Sequence, residues 1–156
     1  MTPPLASENV HVHANALVLG EFGLLLRGPS GAGKSALSMQ LIADWRARGA
    51  FAALVGDDRV ALEARHGRLI ARPHPSIHGM IEARGLGLLR VASEPACVLR
   101  AVIDLLASGE SPKRYPDEDD ATTRLSGVTL PRMFENAANV GAAARIAAYI
   151  QNVVTN

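Results

Sequence analysis

Aromatic residues are scarce in this 156-residue chain: one Trp, two Tyr and three Phe make up 4% of it. No basic block and no aromatic-basic interleaving occurs among 16 basic and 15 acidic residues, so nucleic acid is not expected as a partner. Cysteine is nearly absent. Cys97 stands alone and cannot close an intramolecular disulfide, which fits a reducing compartment. No 18 apolar residues run together, so no membrane span is expected. Residues 1–10 (MTPPLASENV) have neither the basic start nor the apolar core of a secretion signal. These exclusions leave a cytoplasmic protein as the expectation. A net charge of +1 with 48% hydrophobic residues argues against a chain disordered throughout. A chain of this size buries roughly 68–70% of its unfolded surface, enough for one core. One domain is expected over 10–156, behind a flexible lead-in at 1–9.

Lysine is the most informative shortage. Fourteen of the 16 basic residues are Arg, and only Lys34 and Lys113 are Lys. Lys34 stands inside Gly28-Pro29-Ser30-Gly31-Ala32-Gly33-Lys34-Ser35, which matches the phosphate-loop pattern G-x-x-x-x-G-K-[ST] over its full length. Each part has a physical reason. Glycines admit positive φ angles and close backbone approach, so successive N–H groups turn inward around phosphate oxygens. The helix that follows offers its unpaired amides and positive dipole end to the same anion. Lys34 carries a mobile charge to the outer phosphates, and the Ser35 hydroxyl is a ligand for Mg²⁺. Residues 28–35 are therefore expected to bind a nucleoside triphosphate with Mg²⁺.

The flanking pattern supplies the context this loop needs. Alternation predicts a strand within 10–19, a hairpin turn at 20–23 and a short strand over 24–27 that enters the loop. Apolar residues at 37, 41, 42 and 45 predict a helix over 35–48, stopped by Gly49. Residues 51–56 read as a strand, and 59–64 with 68–72 as a hairpin about His66-Gly67. Proline and histidine at 73–78 predict loop, 96–106 a strand, 108–123 an acidic loop and 137–154 a terminal helix.

A phosphate loop does not itself specify what receives the phosphoryl group; the neighbouring acids do. Two predicted strand ends offer one. Leu54-Val55-Gly56-Asp57-Asp58 ends in a pair, and Val102-Ile103-Asp104-Leu105 resembles a Walker-B strand. Paired acids can divide two jobs, one near Mg²⁺ and one accepting the proton of a hydroxyl nucleophile. A carboxylate-capped turn is the structural alternative for Asp57-Asp58. His11 and His13 lie two apart on one strand face, open to metal ligation or to a polar face near the phosphates.

Four blocks occur together: His13 ahead of the loop, the loop itself, Leu-Val-Gly-Asp-Asp ending at Asp58, and Ile81-Glu-Ala-Arg-Gly-Leu-Gly-Leu-Leu-Arg90. Together they resemble the catalytic domain of the HPr kinase/phosphorylase family, whose corresponding blocks read V-A-D-D and L-E-x-R-G-L-G-I-I-N. The resemblance implies an α/β phosphate-loop domain with a mixed sheet, similar to the phosphoenolpyruvate-carboxykinase type. It implies ATP and Mg²⁺, and phosphoryl transfer to a serine of an HPr-like phosphocarrier protein. It also implies reverse phosphorolysis and a homo-oligomer, a hexamer in the family. In the same reading His13 is an active-site residue, Lys34 polarises the β/γ phosphates, and Ser35 with Glu82 holds Mg²⁺. Asp57 or Asp58 is the base, with Asp58 favoured and His13 as its partner. Arg84 could meet phosphate charge, and Arg114, in Lys113-Arg114-Tyr115-Pro116, matches the family's catalytic arginine. The chain departs from the family in three places. It looks like a short form without the N-terminal domain, Leu130-Pro-Arg-Met-Phe-Glu-Asn136 replaces a block associated with phosphorolysis, and the terminal helix lacks the acidic, Met-containing pattern that accompanies the hexamer in longer members. Two other readings stand beside this one: a small-molecule kinase using Asp104 as its metal-facing acid, and an ATP-sensing module that transfers nothing.

Overall fold

The computed structural model describes residues 9–154, so the lead-in expected at 1–9 lies almost wholly outside the described residues. The predicted hairpin forms from β2 (Ala14–Leu19) and β3 (Phe22–Arg27), and β3 delivers the chain to the phosphate loop and α1 (Lys34–Ala47). Then follow β4 (Ala52–Gly56) and the hairpin of β5 (Val60–Arg65) and β6 (Arg68–Pro73). The short hairpin of β7 (Met80–Ala83) and β8 (Gly87–Arg90) precedes the long β9 (Cys97–Leu105). β10 (Thr122–Leu125), β11 (Val128–Glu135) and α2 (Ala142–Tyr149) complete the described chain. The residues from 10 to 19 are not one strand: β1 (Val10–Val12) leaves to pair with β5, and the break falls at His13.

The large sheet runs β1-β5-β6-β9-β3-β2-β4, with β11 alongside the C-terminal half of β9 and β10 beside β11. β3, β9 and β11 are mutually parallel and the remaining pairs antiparallel, which gives the mixed sheet expected. Parallel strands end at the same edge, so the loops after β3, β9 and β11 gather where the phosphate loop lies.

Strand alternation separates two cores. Leu17, Leu19, Leu24 and Leu26 pack with Leu37, Leu41 and Trp45 of α1 and Ile146 of α2. The other face sends Ala16, Val18 and Leu25 against Val55, Val60, Leu62 and Leu69. In β9 the alternation changes phase: Leu99 faces the second core, whereas Ala101 and Ile103 face the first. A register shift there, between Gly23↔Leu99 and Leu24↔Ala101, inserts Arg100 as an extra residue and turns the rest of the strand over.

Two hairpins were not legible as strands. β7–β8 turns through Gly85 and Gly87, both at positive φ, and its strands are four residues each. β10–β11 turns through Ser126-Gly127, both also left-handed, so part of the expected acidic loop is strand. The terminal helix begins at Ala142, later than expected, and continues as a wider turn over Ile150–Val154.

Candidate active site

Gly28 leaves β3 pressed against β9: a Cβ there would lie 2.9 Å from the carbonyl oxygen of Leu105. Gly33 caps α1 in the left-handed region, φ +92°, which a side chain rarely adopts. Between them the amide of Ala32 donates to the Pro29 carbonyl at 3.0 Å, closing the loop on itself. The first turn of α1 contains no acidic residue, so nothing on the helix neutralises its positive end. Residues 28–35 thus form a closed turn leading into the N-terminus of α1, the backbone shape that the spacing predicts.

Lys34 is only 7% exposed, and its Nζ donates to the carbonyls of Gly28 at 2.9 Å and Pro29 at 3.3 Å. An ammonium has three N–H donors. Two of them curl the side chain over its own loop, which holds the charge at the mouth of the turn.

The paired acids separate. β4 ends at Gly56, and Asp57 points inward, 5% exposed. Its Oδ1 accepts from Ser35 Oγ at 2.6 Å and from Asn15 Nδ2 at 2.9 Å, while its Oδ2 accepts from the amide of Glu82 at 2.9 Å. Asp58 takes a left-handed backbone, φ 65°, tolerated by Asp better than by most residues. The reversal sends its carboxylate outward to His13 Nε2, with the Asp58 side chain 60% and the His13 side chain 51% exposed. One acid faces the phosphate-loop hydroxyl and the other faces solvent.

Asn15 was not singled out from the sequence, yet it holds the two acids in register. Fully buried, it donates to Asp57 and accepts the amide of Asp58 at 2.8 Å. A lone amide within the apolar run Ala14–Leu19 was the available signal, since a buried polar side chain requires partners. The break in the strand before it also has a result. His13, at the break, reaches Asp58, and His11 sets its ring edge-on to His74 with centroids 5.8 Å apart. Both line a cavity of about 700 Å³ with Asp58 and Arg59. Among the described residues no group of three or more His, Cys, Asp or Glu is disposed to hold a metal, and the two histidines lie in the wall of this cavity.

The β7–β8 hairpin folds over the end of β4, where its Glu82 amide reaches Asp57. The Glu82 side chain is exposed beside that contact, and Arg84 is exposed further along the hairpin. Asp104 overturns the Walker-B reading. Arg27 grips it through Nε at 2.7 Å and Nη2 at 2.8 Å, and Arg132 approaches at 3.6 Å. A carboxylate engaged by a two-pronged guanidinium is a structural ion pair, not a metal-facing acid. Arg114 also stands apart. It lines a second cavity after β9 and packs beside Tyr115, with no contact among the described residues to Lys34, Asp57 or Asp58.

A mixed sheet, a phosphate loop at the end of a central strand and an aspartate bonded to the loop serine define a phosphate-loop α/β domain. The model of the HPr serine kinase C-terminal domain matches residues 5–107, and the chain belongs to that family. The HPr kinase/phosphorylase of Mycoplasma mycoides is 33% identical over 85 residues, covering 54% of this chain and 25% of that protein. That of Chromobacterium violaceum is 29% identical, covering 93% of this chain and 46% of that protein. The chain therefore spans about a quarter to a half of the length of these relatives. The solved Hpr(Ser) kinase/phosphatase of Coxiella burnetii superposes with a TM-score of 0.75 at 26% identity, covering 92% of this chain and 95% of that one. Arg114 falls beyond the matched span.

Proposed function

We propose that this chain transfers the γ-phosphoryl group of ATP to a serine hydroxyl of an HPr-like phosphocarrier protein. One observation carries the reading. Two adjacent carboxylates leave the same strand end, one bonded to the phosphate-loop serine and the other turned to a histidine at the mouth of a cavity. That is the division of labour which transfer to a hydroxyl requires.

In this mechanism the loop amides and Lys34 hold the β and γ phosphates and draw charge off the bridging oxygen as it leaves. The serine hydroxyl enters through the cavity lined by His11, His13 and Asp58. Its oxygen attacks phosphorus in line as the bond to the ADP oxygen breaks, and its proton passes to the Asp58 carboxylate. His13 orients that carboxylate. For phosphorolysis the proton would return from the same acid to the leaving serine.

The residues present fit Mg²⁺. Ser35 Oγ and Asp57 Oδ1 are hard oxygen donors 2.6 Å apart, with the Glu82 carboxylate on the adjoining hairpin. When bound there, the ion would supply charge neutralisation at the phosphates. A cytoplasmic location and homo-oligomeric assembly accompany this reading as family expectations.

The test is incubation of the chain with purified HPr, ATP and Mg²⁺, followed by intact-mass spectrometry and fragment mapping. One added phosphoryl group on a serine is the expected result, and excess inorganic phosphate added afterwards tests whether it is removed. Nucleotide binding without any transfer would favour the sensing module instead.

A further inference from the structure

We propose that the open face of β1, β5, β6 and the first half of β9 is a docking surface for an acidic face of the phosphate-accepting protein. This rests on the reading of the chain as a protein-serine kinase, and adds to it where that protein is held and by what chemistry.

Strand register defines the surface. On β5 and β6, Val60, Leu62, Leu69 and Ala71 point into the second core, so the residues between them point the other way. Cross-strand pairing sets these in three rows. His11, Ala61 and Arg72 make the first, Glu63, Ile70 and Val98 the second, and Arg65 with Arg68 the third. Arg100 lies two residues beyond Val98 on β9, next to that third row. Its guanidinium lies 5.5 Å over the ring of Phe22, on the side where α1 packs. α1 and α2 cover that side over β2, β3 and the second half of β9. Over β5 and β6 it is open: His11, Arg65, Arg68, Val98 and Arg100 are all exposed.

The chemistry of this face is one-sided. The guanidiniums of Arg65, Arg68, Arg72 and Arg100 share it with one carboxylate, that of Glu63. Arg72 and Arg65 both take Glu63, at 2.6 Å and 3.0 Å. Arg68 makes no hydrogen bond or ion pair among the described residues, and Arg100 makes only its ring contact. Arg65 and Arg68 stand directly opposite each other, and like charges so placed weaken a sheet. A local cost of that kind, kept on an open surface, marks a use other than folding. Between the charged rows, Ile70 and the 37% exposed Val98 supply an apolar centre. Apolar side chains rimmed by arginine are the make-up of a protein–protein contact.

The surface also runs into the cavity through which the serine hydroxyl enters. His11 belongs to both: it ends the first row and lines the cavity with His13 and Asp58. From that row to Arg65 is four residues of β5, roughly 13 Å, and from β5 across to β9 is roughly 10 Å. A protein with its serine in the cavity therefore overlies the arginines. Carboxylates on it at that reach meet guanidiniums free to bind them in two-pronged fashion.

Steady-state transfer to purified HPr separates wild type from Arg68→Glu/Arg100→Glu, whose changed residues lie outside the phosphate loop and the acid pair. At low ionic strength the KM for HPr should rise at least about tenfold, with kcat and Mg-ATP affinity within about twofold. In about 0.5 M salt, which screens exposed charges, the rise should shrink to about threefold or less. Arg46→Glu/Arg124→Glu alters net charge equally at other exposed positions and should leave the KM within about twofold. Phenylglyoxal modification of wild type, read at each arginine by mass spectrometry, needs no variant. Saturating HPr should slow labelling of Arg68 and Arg100 at least about fivefold. An unchanged KM, an equal rise in both variants, or labelling that HPr does not slow overturns the docking surface and leaves the kinase reading standing. Wild type that binds Mg-ATP yet transfers nothing to HPr overturns both readings together.

Discussion

The strand ends of β4 and β9 both carry aspartate near the phosphate loop, and they are put to opposite uses. Asp57 is approached by neutral donors, from Ser35, Asn15 and the Glu82 amide, and its neighbour Asp58 is turned outward. Asp104 is gripped by the Arg27 guanidinium with Arg132 close behind. Neutral donors fix a carboxylate while leaving its charge available. A bidentate guanidinium fixes it and neutralises it. An acid near phosphate is thus distinguished by what already holds it, more than by its distance along the chain.

The contrast can be broken most sharply at Asp58. Asp58→Asn should lower phosphoryl transfer by about 10²–10⁴-fold while nucleotide affinity changes little. Mass spectrometry of HPr for turnover and calorimetry for binding read the two separately; loss of binding instead would move Asp58 from proton acceptor to phosphate site. Lys34→Ala should depress transfer by about 10²–10³-fold and weaken nucleotide binding with it. Circular dichroism should find the fold retained, and unchanged kinetics in that variant would remove the phosphate loop from the mechanism.

At the other strand end the expected effect is on stability. Asp104→Asn should retain turnover within a few-fold but cost about 1–3 kcal/mol in denaturant unfolding, because two arginines lose their partner. Abolished turnover with unaltered unfolding would reverse the comparison. Asn15→Ala lies between the two cases. It should cost about 1–3 kcal/mol and also slow transfer, since it takes a donor from Asp57 and an acceptor from the Asp58 amide.

The smallest effect concerns Cys97, at the far end of β9, where burial pushes the thiol from 9.0 up to about 12. Above pH 9 an unfolded chain has released that proton while the folded one keeps it, so stability should fall as pH rises toward 12. Alkylation at pH 8 should be slow in the native protein and fast in denaturant; rapid native labelling would show the β9 end to be open.

How much could be read in advance depended on how local the signal was. The phosphate loop, its entering strand and the helix after it were legible because spacing along the chain alone fixes a turn that converges amides. The hairpins Met80–Arg90 and Thr122–Glu135 were obscured. Their strands are short or poorly alternating, and their stability comes from the strands they lie on. Asn15 escaped notice for a related reason. Its partners Asp57 and Asp58 lie more than 40 residues away, joined to it through the β2–β4 pairing.

From the amino-acid order alone came a phosphate-loop motif, a pair of aspartates after an apolar strand and a histidine ahead of both. Only the folded sheet assigned their employment. It brought β4 beside β2, so that Asp57 meets Ser35 and Asp58 meets His13, and it set Arg27 opposite Asp104. The physical reason is that a carboxylate's availability is decided by the donors around it. In this chain those donors arrive from a helix and strands 22 to 77 residues distant, through packing and pairings that no local pattern encodes.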